Sequence, residues 1–159
     1  MAADRPPASD AERAAREARD RAERDRLDRE RLAAERLRVM TASVYFEFDR
    51  SDLTAEARST LDAKLGILSS SPELRIRIAG HADERGSDEY NMALGQRRAA
   101  AAKRYLVHRG IDANRVDVMS FGEERPICTE SHEGCWSRNR RGEFEIVAAG
   151  AVGRMPESF

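Results

Sequence analysis

The stretch GHADERGSDEYNMALGQRRAAAAKRYL, residues 80–106, concentrates the side chains that have chemistry to offer. Asp83 lies in a short polar loop, and Asn91, Leu94 and Arg98 follow at separations of three, four and seven. That spacing puts the three on one face of a helix. A carboxylate at Asp83 and a guanidinium at Arg98, both near the loop-to-helix junction, would set an anion beside a fork of donors. Such a pair suits a zwitterion: an amino-acid head group gives its ammonium to the carboxylate and its carboxylate to the guanidinium, through charge-assisted bonds. The bland alternative is an internal salt bridge pinning loop to helix. His81 invites an acid–base role but reads first as a structural loop histidine. No Ser/His/Asp set, catalytic carboxylate pair or phosphate-cradling glycine loop is visible, so the sequence points to a binding protein with no cofactor and not to an enzyme.

These groups need elements to hold them. Val44, Phe46 and Phe48 alternate with Tyr45 and Glu47, the period-two signature of a strand with one buried face. Thr54 is placed to N-cap a helix carrying Ala57, Leu61, Leu65 and Leu68. Leu74, Ile76 and Ile78 alternate with Arg75 and Arg77 to give a second strand that runs into Gly80-His81-Ala82-Asp83. Ser87 caps a helix expected over 88–108, closed by Arg109 and Gly110. Val116 with Val118 predicts a third strand, residues 126–136 a loop, and Phe144 with Ile146 a fourth strand. The order β-α-β-α-β-β predicts an α+β sandwich with helices on one face of a mixed sheet.

In front of it stands a segment of different character. Residues 1–40 hold 11 Arg and 10 Asp or Glu, with acid-before-base pairs at i,i+4: Glu12–Arg16, Glu17–Arg21, Asp20–Arg24 and Asp25–Arg29. Leu27, Leu32 and Leu37 are spaced by five and keep no heptad seam, which favours a lone charged helix over a coiled coil. The expected organisation is a helical tether over 1–40, a folded domain over 41–150 and a tail over 151–159. Across the chain, 28 Lys and Arg against 29 Asp and Glu leave a net charge of -1, giving no field to recruit nucleic acid. No run approaches the roughly 18 apolar residues of a membrane-spanning helix.

Cys128 and Cys135 are the only cysteines. With His132 they could be three zinc ligands, but no fourth stands at a recognisable spacing, and a disulfide is the favoured reading. It would contribute about 2.5 kcal/mol in the chain-entropy picture and suits an oxidising compartment.

Taken in order, VYFEFDRSDL (44–53), GHADERGSDEYNMALGQRRA (80–99), SFGEERP (120–126) and WSRNRR (136–141) resemble the successive signatures of the OmpA-like peptidoglycan-binding domain. The DERG loop and GQRRA helix resemble its peptidoglycan-associated lipoprotein (Pal) branch. The resemblance implies non-covalent binding of the diaminopimelate residue of peptidoglycan stem peptides. Asp83 would hold the ligand's ammonium and Arg98 its carboxylate, with Asp49, Asn91 and Leu94 completing the pocket. Arg140 and Arg141 would mainly orient the last strand and secondarily contact ligand. Replacing Asp83 by Asn or Arg98 by Ala is expected to abolish binding and leave the fold intact. The resemblance also implies a periplasmic location, an outer-membrane lipid anchor on a cysteine that neither Cys128 nor Cys135 can supply, a TolB-like propeller as partner, and a Tol-Pal role in envelope integrity and division. Two rival readings are a helical assembly protein built on residues 10–40 and a wall-processing enzyme.

Overall fold

The computed structural model describes residues 6–149. Eight elements follow one another: α1 (Asp10–Thr41), β1 (Val44–Tyr45), α2 (Ala55–Ser70), β2 (Leu74–His81), α3 (Asp88–His108), β3 (Val116–Gly122), α4 (Glu133–Asn139) and β4 (Arg141–Ala149), with a 3-10 turn at Ala113–Arg115. The chain divides into two units between Leu37 and Arg38. The expected tail, 151–159, lies outside the described residues.

The sheet has the order β1-β4-β2-β3. β3 runs parallel to β2, joined to it by the crossover helix α3, while β4 pairs antiparallel with both β1 and β2. Along β2, Leu74, Ile76 and Ile78 are buried and Arg75 is exposed, so the period-two pattern selects the core face as the sequence predicts. The helices cover that face: Ala57, Leu61 and Leu68 from α2 and Ala99, Ala102 and Leu106 from α3 join Ile76, Ile78, Val116 and Phe144 in one core. This is the mixed α+β architecture expected, led by the long charged helix.

Both helix starts follow their caps. Thr54 accepts from the Ala57 amide at 3.0 Å, and Ser87 from the Tyr90 amide at 3.1 Å. The turn after α3 uses Gly110 at φ +102°, and the Ile111 amide reaches back to the Leu106 carbonyl at 3.1 Å.

Three local expectations are corrected. The first strand is only two residues long, and Phe48 is 53% exposed because it sits in a turn that the Arg50 amide closes on the Glu47 carbonyl at 3.2 Å, with Asp49 in the left-handed region at φ 58°. The 126–136 segment does not stay a loop to its end: its last residues begin α4, where the His132 side chain accepts from the Cys135 amide at 3.3 Å. In α1, none of the four expected i,i+4 pairs closes among the described residues. Glu23–Arg26, Arg26–Glu30 and Asp28–Arg31 form instead, since an exposed arginine chooses between acids three and four positions away of nearly equal worth.

Candidate functional site

The site is built where β2 ends. A Cβ on Gly80 would lie 1.7 Å from the Gly95 carbonyl oxygen, so only two glycines let α3 lie this close against the strand's last turn. Asn91, Leu94 and Arg98, spaced around Gly95 on α3, are thereby brought up to the Ala82-Asp83 segment that leaves β2. Asn91 then ties the loop down: its amide donates to the Asp83 carbonyl at 3.2 Å, the Arg85 carbonyl at 3.1 Å and Glu123 Oε1 at 3.2 Å.

A cavity of about 200 Å³ opens between this loop, the helix and the turn after β1. All five residues expected to form the pocket line it: Asp49, Asp83, Asn91, Leu94 and Arg98. Asp83 and Arg98 do not bond each other. Arg98 is fully buried and donates from Nε to the Arg50 carbonyl at 2.8 Å, from Nη1 to the His81 carbonyl at 2.8 Å and from Nη2 to the Glu47 carbonyl at 3.0 Å. Of its five N–H groups, two have no hydrogen-bond acceptor among the described residues. Burial and the charge of Arg140 pull its pKa down to about 10, against the opposing charges of Asp83 and Asp49, so it stays cationic at neutral pH.

Asp83 is 4% exposed. Burial pushes its carboxyl up, but the hydrogen bonds and charge of Arg85 with the charge of Arg140 outweigh this and hold it below the usual value. Its Oδ1 accepts from the Arg85 amide at 3.1 Å and Nε at 3.0 Å, and its Oδ2 from Nη2 at 2.8 Å. Asp49 accepts from the Tyr90 hydroxyl, closing the opposite rim.

The secondary candidates fall outside the cavity wall. His81 is the last residue of β2 and not a loop residue; it is buried, stacks on Phe121 at 5.5 Å and offers its carbonyl to Arg98. Its Nε2 comes within 2.8 Å of Glu143 Oε1 off-axis, leaving both ring nitrogens without a hydrogen bond among the described residues. Burial first, then Arg141, lowers its pKa to about 4 against Glu143, so the ring is neutral at neutral pH. Arg140 donates to the Phe46 carbonyl at 2.9 Å and Glu133 at 2.7 Å; Arg141 donates to the Arg125 carbonyl at 2.9 Å and Glu143 at 2.8 Å. Both arginines fasten loops to the start of β4. Cys128 and Cys135 are joined in a disulfide. Asn139 secures that loop, accepting from the Ile127 and Cys128 amides at 2.9 and 3.1 Å.

Sequence reasoning missed Arg85, Phe48 and Tyr90 as cavity-lining residues. Trp136 donates to Glu84 at 3.0 Å and presents its ring to Arg85 at 4.0 Å.

The profile of the OmpA family matches residues 45–140, from the first strand to the residue before β4. The chain belongs to the OmpA family. It is 44% identical over 108 residues to the peptidoglycan-associated lipoprotein of Rhizobium meliloti (strain 1021), covering 68% of this chain and 61% of that protein. It is 48% identical over 101 residues to the peptidoglycan-associated lipoprotein of Pseudomonas aeruginosa, covering 64% of this chain and 60% of that one. The chain thus spans less than two thirds of the length of these curated relatives. The crystal structure of the peptidoglycan-associated lipoprotein from Burkholderia pseudomallei superposes with a TM-score of 0.64 at 38% identity, covering 65% of this chain and 88% of that one. The resemblance drawn from the four motifs therefore holds, and the matched OmpA-family region contains every cavity residue named above.

Proposed function

We propose that this OmpA-family domain binds peptidoglycan through the diaminopimelate residue of the stem peptide, without catalysis, and anchors the outer membrane to the wall from the periplasmic side. The observation that carries the reading is one cavity lined by a buried carboxylate, Asp83, and a buried guanidinium, Arg98, with no bond between them. A site of about 200 Å³ with opposite charges held apart suits the zwitterionic end of a side chain bearing both an ammonium and a carboxylate. Arg98 keeps two N–H groups for a carboxylate, while three backbone carbonyls fix its plane.

Lysine carries the side-chain ammonium but no carboxylate beside it. A ligand of that kind would desolvate Arg98 without answering it, at a cost of about 1–3 kcal/mol. Sedimentation with diaminopimelate-type and lysine-type peptidoglycan tests this. Retention on the first and about five- to 150-fold weaker retention on the second is expected; equal retention would remove the mechanism. A Tol-Pal role, with a TolB-like propeller engaging the same half-exposed rim of Phe48 and Tyr90, is part of the proposal. Competition between propeller and wall peptide for this rim is the expected result.

A further inference from the structure

The anion meant for the ligand is already taken by the protein itself. Arg85 covers both Asp83 oxygens in a bidentate grip, at 3.0 Å from Nε to Oδ1 and 2.8 Å from Nη2 to Oδ2. Its guanidinium carbon lies 3.9 Å from the ring centroid of Phe48 and 4.0 Å from that of Trp136. Arg140 Nη1 also lies 3.6 Å from Oδ2, so an incoming ammonium would have to share one buried carboxylate with two cations, which like-charge repulsion disfavours. Glu133, whose Oε2 is 3.9 Å from the same Nη2, is held by Arg140 at 2.7 and 3.3 Å and so offers Arg85 no vacant acid. The Arg85 side chain is 31% exposed where that of Asp83 is 4%, so the guanidinium borders solvent and can leave the two rings while the carboxylate stays buried.

We infer that Arg85 is a displaceable internal counter-ion: it occupies the ammonium subsite of the ligand-free protein, and the ligand's cationic group expels it from beside Phe48 and Trp136 toward solvent. The inference rests on the function proposed above and adds the regulation of that site. Arg85 keeps a buried aspartate paired when no ligand is present, so the pocket stays preorganised, and it sets an electrostatic threshold that a neutral or weakly basic group would not pass. It is a positioning residue, acting through Asp83.

The test titrates the tripeptide L-Ala-D-Glu-meso-diaminopimelate into the full chain and into Arg85→Gln, by calorimetry and by emission of Trp136, the only tryptophan. The expected result is that Arg85→Gln binds about three- to tenfold tighter, since the competing charge-assisted pair is gone. Trp136 emission should change on saturation of the wild type and stay flat in the variant, because only the wild type moves a cation off the indole. Wild-type binding with equal or weaker binding by Arg85→Gln, or saturation of the wild type without an emission change, would overturn the inference and leave the proposed function standing. Absence of binding in both proteins would overturn the two together. Should Arg85→Gln fail to fold, the wild-type emission titration still decides.

Discussion

Asp83 and Arg98 line one cavity while each is bonded to other groups: Asp83 to Arg85, Arg98 to the carbonyls of Glu47, Arg50 and His81. The two line one cavity without forming a salt bridge with each other. The arrangement also corrects the expectation that Arg98 could be truncated without harm to the fold. Arg98→Ala would strand three carbonyls drawn from two segments and empty a fully buried volume. It should cost about 3 kcal/mol or more of stability along with binding. Asp83→Asn should lose binding with a smaller stability change, since the carboxamide oxygen would still accept from Arg85. Urea midpoints of the two variants check the contrast, and equal midpoints would contradict it.

Lys64 makes a second prediction. It is fully buried in the core, and its ammonium donates to the carbonyls of Val39, Met40 and Ala42 at 2.7, 3.1 and 2.8 Å, closing the C-terminal end of α1. The Phe144 ring lies 4.2 Å beneath it, and burial lowers its pKa to about 8. Lys64→Met keeps the apolar stem but leaves those carbonyls without a donor. A loss of about 1–3 kcal/mol is expected, with faster amide exchange in the last turn of α1. Unchanged exchange there would show that the clamp is idle.

Acid should act through His81. Its folded pKa of about 4 lies below the usual 6.5, so between these values the unfolded chain binds a proton that the folded one does not. Stability is therefore complete above pH 6.5 and falls as pH drops toward 4, by up to about 3 kcal/mol from this group. His81→Gln should flatten the dependence of the urea midpoint over that window. A variant whose midpoint declines as steeply as the wild type would assign the acid sensitivity elsewhere.

Reduction of the Cys128–Cys135 disulfide should cost about 2.5 kcal/mol, and less if α4 persists without it. Unreduced protein should release no thiol to a titrating reagent, whereas two thiols should appear after reduction and unfolding. A chain with two reactive thiols before reduction would contradict the pairing.

Local order explains which features were readable beforehand. Ile76, Ile78 and Val116 alternate because one sheet face is buried, and Thr54 and Ser87 cap because the first turn of a helix needs acceptors. Phe48 was misread because its apolar type fits the alternation, while the turn at Asp49 had already left the sheet. α4 was half missed because its seven residues carry no apolar period; a histidine cap and the cystine hold it instead.

The sequence by itself determined the secondary elements other than α4 and the sheet's buried face, since each follows from spacing along the chain, and its four motifs carried the resemblance to the family. It also named Asp83 and Arg98 as one anion and one cation on neighbouring elements. Only the tertiary structure decided what each is bonded to. Arg85 lies two residues from Asp83, a separation that implies no contact in a loop of unknown turn, and the rings beside it, Phe48 and Trp136, come from opposite ends of the domain. Arg98 and Lys64 likewise take carbonyls from segments far away in the chain. Backbone acceptors carry no side-chain signature, so which of them a buried cation will find is fixed by packing alone.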